Sequence, residues 1–196
     1  YRQESKLLAE TEISAKKGSS FELPFLALAR PFGQLSKIES ELLSDRDSHY
    51  YLADKLKAVE SDYDFILVDA PPNLGLATWS IFTASDGVII PLEAQDYSVK
   101  GTGYVHGVIE KVRRRANPKL TILGYLINRY DGRRRIEQDF RTIIEKHLGE
   151  KVFKQALKDS VKYVEAVTTG KPITFLAPKS EQAEAFIEIG KEVING

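Results

Sequence analysis

Asp69 is the residue in this chain best suited to chemistry. It closes an apolar run in "YDFILVDAPPNLG", Tyr63 to Gly75, and two prolines follow it. A carboxylate fixed at a strand end is a hard oxygen donor. It is suited to hold magnesium, often through a water, beside a phosphate that is being transferred. Pro71 and Pro72 stiffen the following loop, and Gly75 lets it turn into a helix. An aspartate that merely starts a turn explains the strand-then-acid pattern equally well, so Asp69 taken alone leaves both readings open.

Asn128 ends a second apolar run, "LTILGYLIN", Leu120 to Asn128. Its carboxamide both donates and accepts hydrogen bonds; a cap or turn residue opening the "RYDGR" loop is the alternative. Basic residues cluster at Lys111 to Arg115 and Arg133 to Arg135, followed by Lys158, Lys162, Lys171 and Lys179. The first cluster closes a helix, where cations complement the macrodipole. The second opens one, where the dipole opposes them, and this points to a phosphate partner. His49, His106 and His147 lack ligand spacing and read as packing or surface residues.

The elements that must position these groups alternate. Apolar runs at Glu22 to Arg30, Phe65 to Val68, Gly87 to Pro91 and Leu120 to Asn128 read as buried strands, with Lys151 to Leu157 a weaker one. Helical periodicity covers Gln34 to Leu43, Ser48 to Glu60, Ser98 to Arg115, Arg133 to Leu148 and Ser180 to Ile194, while Tyr1 to Ser20 is a polar lead-in. The pattern predicts an α/β class: a mostly parallel sheet with helices on both faces, residues 1–196 forming one domain. In such sheets ligands bind beyond the carboxyl ends of the strands, the end at which Asp69 sits. With 28 basic and 28 acidic side chains the formal charge is zero, so anion binding must come from a local patch. The absence of cysteine excludes disulfides, iron–sulfur ligation and thiol catalysis, and suits a reducing cytoplasm. No apolar run is long enough to span a bilayer as a helix.

Taken in order, these segments resemble the ParA/MinD family of deviant Walker ATPases. "YDFILVDAPPNLG" resembles its Walker B and switch II segment, "ASDGVIIPLEAQDYSVKGTG" its next strand and loop, "LGYLINRYDGR" the strand after that, and "EAVTTGKPITFLAPKSEQAEAF" its closing segment and last helix. The likeness runs from about Leu23 to the C-terminus and is nearest the ParA/Soj partition proteins. It implies a P-loop NTPase-like fold of the deviant Walker type, with ATP and magnesium held between two subunits of a homodimer. It also implies nonspecific DNA binding, a ParB-like activator protein, and a cytoplasmic, nucleoid-associated life without membrane binding. By the same resemblance Asp69 is catalytic and holds the metal through water. Asp69, Pro71, Asn128, Lys158 and Asp159 belong to the nucleotide site, with Asn128 on the adenine and Lys158 where relatives carry a proline. Arg133, Arg134, Arg135, Lys162 and Lys171 are the DNA-contact candidates.

The family's deviant Walker A loop, K-G-G-x-G-K-[ST], has no counterpart in the chain. "AKKGSS", Ala15 to Ser20, has suitable residue types in the wrong order and reads as a solvated loop. Methionine is absent even at position 1. The expectation is a chain that starts downstream of a first strand and P-loop and does not turn over ATP by itself. Two rivals share the pattern: a related ATPase positioning a protein cargo or microcompartment, and a non-hydrolysing adaptor with the same fold. A MinD-like membrane anchor is disfavoured, because four glutamates against one lysine follow Lys179 and anionic lipid would repel them.

Overall fold

The computed structural model describes residues 47–93 and 99–195. Nearly all of these belong to one compact unit, His49–Gly196. The expected strand at Glu22 to Arg30, helix at Gln34 to Leu43 and lead-in at Tyr1 to Ser20 lie outside the described residues.

Two strands pair in parallel, β1 (Gly87–Glu93) and β2 (Thr121–Asn128). Gly87 lies opposite Thr121 and Glu93 opposite Asn128, with one irregularity between Val88 and Ile89. Parallel neighbours need a crossover. Here it contains helix α3 (Val99–Arg115), after α1 (Tyr51–Leu56) and α2 (Leu76–Ala84). The chain then continues through α4 (Arg135–Leu148), α5 (Val161–Thr169), α6 (Ile173–Leu176) and α7 (Glu181–Asn195).

Side-chain alternation along β2 sorts the core into two layers. Tyr125 and Ile127 enter one cluster with Ile90 of β1, Phe82 of α2, Ile109 and Val112 of α3 and Ile144 of α4. Leu126 packs on the other side with Leu157 and with Ala185, Ile189 and Val193 of α7, residues spaced one helical turn apart. Helices therefore cover both faces, as the sequence predicts. Each fully buried isoleucine or leucine contributes about 1.5–3 kcal/mol relative to exposure. Asn117 fixes the α3–β2 turn, its Nδ2 donating to the carbonyls of Phe82 and Ser85 at 3.0 and 2.7 Å.

Two expected strands differ. Lys151 to Leu157 runs beside β2 in parallel, but only as an isolated Tyr125–Val152 bridge, with Phe153 N–H on the Tyr125 carbonyl (3.0 Å) and Leu157 N–H on the Ile127 carbonyl (2.9 Å). Four residues on this segment advance against two on β2, so it bulges. The displaced amides of Lys154 and Gln155 donate instead to the Glu192 carboxylate of α7 at 3.0 and 3.3 Å. Gly124 permits the close approach of this segment: a Cβ there would stand 2.9 Å from the Lys151 carbonyl oxygen.

Phe65 to Val68, expected as a strand covered on both sides, joins no ladder, and all four side chains are exposed, Leu67 to 88%. An apolar run specifies a buried strand only where neighbouring strands take its amides, and no such neighbour exists among the described residues. Helix α1 is likewise shorter than the expected Ser48 to Glu60, with separate 3-10 turns at Ser48–Tyr50 and Glu60–Asp62.

Candidate functional site

The carboxyl ends of β1, β2 and the Val152 to Leu157 segment finish side by side, and polar residues follow all three. Glu93 ends β1 opposite Asn128, the last residue of β2. Arg129 comes next with φ +53°, the left-handed region that non-glycine residues seldom enter. Its backbone N–H donates to Asn128 Oδ1 at 2.9 Å. Its guanidinium reaches Glu93 (Nη1 to Oε1, 3.5 Å) and Asp159 (Nε to Oδ1, 3.4 Å). The Asp159 carboxylate, and after it Glu93, pushes the Arg129 pKa further up. Tyr130 N–H donates to the Leu157 carbonyl at 2.9 Å, closing the same edge from the other side.

Of the expected nucleotide-site residues, Asn128, Lys158 and Asp159 are thus brought to one edge. Asn128 Nδ2 makes no hydrogen bond among the described residues, so it stands as a donor in reserve. Lys158 is engaged: its ammonium pairs with Glu181 in the first turn of α7, beside a small cleft lined by Gln155, Tyr163 and Gln182. Asp69 and Pro71 lie on a separate segment that joins no strand ladder. Asp69 is exposed, and no hydrogen bond or ion pair among the described residues joins it to the Asn128 edge. The loop after it is ordered locally, with Gly75 N–H on Asn73 Oδ1 (3.1 Å) and the buried Thr78 hydroxyl on the Asn73 carbonyl.

No group of three or more metal-ligating side chains exists among the described residues. Magnesium is commonly held by one or two carboxylates, waters and phosphate oxygens. Asp69, exposed and without an ion pair among the described residues, has the donor chemistry of such a ligand.

The basic cluster opening α4 is largely neutralised from within. Arg133 clasps Asp131 through Nε and Nη2 at 2.9 and 3.0 Å. Arg134 contacts Asp131 at 3.5 Å and Glu137 at 3.2 Å. The hydrogen bond from the Arg133 side chain, aided by its backbone N–H, lowers the Asp131 pKa to about 2. Arg135 is exposed and forms no ion pair among the described residues. Lys162 lines a shallow open groove of about 370 Å³ with Ala177, Pro178, Lys179 and Ser180. Lys171 follows the left-handed Gly170 that ends α5, its N–H on the Ala166 carbonyl at 3.1 Å.

Three residues that sequence reasoning missed organise this region: Glu93, Arg129 and Glu137. Glu137 is fully buried, and its Oε2 accepts the Asp131 N–H at 2.6 Å. A glutamate at the third position of a helix preceded by a turn was the available signal for it. Arg129 carried only its place directly after a strand-ending asparagine.

Comparison with known proteins places this geometry in context. A family profile described as an AAA domain matches residues 9–122. An uncharacterised protein of Mycobacterium tuberculosis is 37% identical over 82% of this chain and 51% of its own length. The chromosome partitioning protein ParA of Caulobacter vibrioides is 31% identical over 89% of this chain and 66% of its own. The sporulation initiation inhibitor protein Soj of Bacillus subtilis is 34% identical over 82% and 63%. The chain thus spans about half to two thirds of the length of these relatives.

Among solved structures, cobyrinic acid a,c-diamide synthase of Mycobacterium smegmatis, with a bound ATP analogue and magnesium, is 30% identical at a TM-score of 0.55. The match covers 58% of this chain and 45% of that one. The Pyrococcus furiosus cell division ATPase MinD, 23% identical with a TM-score of 0.60 over 76% of this chain and 59% of that one, shares the fold.

Proposed function

The chain belongs to the ParA/MinD family of ATPases, and from that premise we propose that it serves as a ParA-like ATPase that partitions DNA. In this reading ATP and magnesium bind at the carboxyl edge of the sheet. The observation that carries it is the convergence of Asn128, Lys158 and Asp159 at that edge, tied by Arg129 to β1 and β2. The solved relative holding an ATP analogue and magnesium supports the choice of ligand.

Each residue then has a task that its surroundings suit. Asp69, an exposed carboxylate without an ion pair among the described residues, orders the water shell of the cation, and Pro71 and Pro72 restrict the loop that carries it. Asn128 donates through Nδ2 to the base. Lys158, held by Glu181, and Asp159 border the base side of the site. Magnesium, when bound, supplies charge neutralisation on the phosphates.

The nucleotide-bound protein pairs as a homodimer, binds DNA without base reading, and releases it when a ParB-like activator stimulates hydrolysis at the nucleoid of the cytoplasm. Arg135, Lys162 and Lys171 are the first DNA contacts. Arg133 and Arg134 join when phosphate competes for them with Asp131 and Glu137.

The test is Asp69→Ala in the full-length protein. Magnesium-dependent ATP turnover should vanish while circular dichroism is unchanged, because Asp69 is exposed and its removal leaves no cavity. Wild-type turnover by that variant would remove Asp69 from the site.

A further inference from the structure

Arg129 is the only non-glycine residue among the described ones held at positive φ. Such a backbone costs stability, and the ion pairs of this residue do not obviously return it. They are 3.5 and 3.4 Å long, and the Arg129 side chain is 60% exposed, conditions under which a salt bridge is worth little. A strained residue that the fold does not need for stability points to a task at the place where it sits.

That place is specific. The strained backbone turns the Arg129 N–H onto Asn128 Oδ1 (2.9 Å). Only the oxygen of the carboxamide can accept that proton, so Nδ2, which makes no hydrogen bond among the described residues, is left as a donor. Meanwhile the guanidinium bridges Glu93, at the end of β1, and Asp159, two residues beyond the edge segment that Leu157 joins to β2. One side chain thereby ties the ends of three parallel segments together around a single carboxamide.

We propose that Arg129 is the positioning residue for base recognition: it fixes Asn128 so that Nδ2 meets a ring-nitrogen or carbonyl acceptor on a flat nitrogen heterocycle. The inference rests on the reading of this edge as a nucleotide site. It assigns to Arg129 no contact with the phosphates or the metal. Its backbone N–H holds Asn128 directly and its guanidinium holds the turn that carries that N–H to Glu93 and Asp159, none of them assigned to the phosphates, so its loss should affect only ligands that carry a base.

The experiment uses the full-length protein and two probes in titration calorimetry with magnesium, ATP and inorganic triphosphate. Arg129→Gly keeps the left-handed backbone at ease while removing the guanidinium. Arg129→Lys keeps a charge but not the two-carboxylate bridge. Both should weaken ATP binding about tenfold, the size expected for directly coupled neighbours, and leave triphosphate binding unchanged. In an Asn128→Ala background Arg129→Gly should cause no further loss. Equal weakening of ATP and triphosphate, or losses at Asn128 and Arg129 that simply multiply, would overturn the assignment. Failure of the wild type to bind either probe would instead remove the nucleotide reading itself, and with it this one.

Discussion

Glu137 offers the sharpest test of how the Asn128 to Arg135 loop is held. Its carboxylate is fully buried at the third position of α4, accepting the Asp131 N–H at 2.6 Å and the Arg134 Nη1 at 3.2 Å. A hydrogen bond to a charged acceptor contributes about 1.5–3 kcal/mol. The Arg134 pair is solvent-exposed on one side, so it adds only a few tenths of that. An acid in the first turn of a helix adds roughly 0.5 kcal/mol through the macrodipole. Glu137→Ala, which also strands the Asp131 amide, should therefore destabilise the protein by about 2–4 kcal/mol. For a chain of this size that lowers Tm by roughly 4–16 °C. Glu137→Gln keeps an acceptor without the charge and should cost about half as much. Urea denaturation with an unchanged m-value gives the measurement. A loss under about 0.5 kcal/mol for Glu137→Ala would refute the claim that this carboxylate organises the loop.

Further outcomes follow from the same region. Asp131 has its folded pKa lowered from 3.8 to about 2. The stability it contributes is present above the higher value and lost as pH falls through the lower, so Asp131→Asn should flatten the loss of stability that the wild type shows between those two values; parallel pH curves would contradict this. In DNA binding, Arg135→Ala should lower the salt slope by about one, while Arg133→Ala, whose partner Asp131 already neutralises it, should change it less. The reverse order would return the cluster to a solvated surface. Gly124→Ala drives a Cβ against the Lys151 carbonyl, a backbone atom with little freedom to yield, and should cost about 1–3 kcal/mol in thermal or urea denaturation. Wild-type stability would show that the edge segment gives way.

The parts of this fold that sequence made legible are those whose signals are local. β1 and β2 lie within two residues of their apolar runs, and α3, α4 and α7 within two residues of their periodic stretches. Helix α5 escaped although Val161, Val164 and Val167 recur at helical spacing; in the structure all three valines are exposed and only Ala166 is buried. At the site, Asn128, Lys158 and Asp159 were placed by family likeness, and the structure brings them to one edge. Arg129 and Glu93 were invisible because their roles depend on which strand ends lie side by side, a relation that one-dimensional spacing does not carry.

Phe65 to Val68 shows the opposite failure: a strong local signal without its tertiary counterpart. Four consecutive apolar residues, three of them of high strand propensity, form no regular element, and none of their backbone groups is hydrogen-bonded among the described residues. A strand is a property of a pair, because the amides of an unpaired one gain nothing over water and its side chains stay wet. Phe65 and Leu67 are 61 and 88% exposed and Ile66 and Val68 only 39 and 38%, so exposure already alternates along the run. Pairing along either edge would fix that alternation and, with it, the direction of the Asp69 carboxylate one residue further on. The cation-binding role proposed for Asp69 is thus conditional on a partner strand in a way that the Asn128 edge, which already has its neighbours in β1 and the Val152 to Leu157 segment, is not.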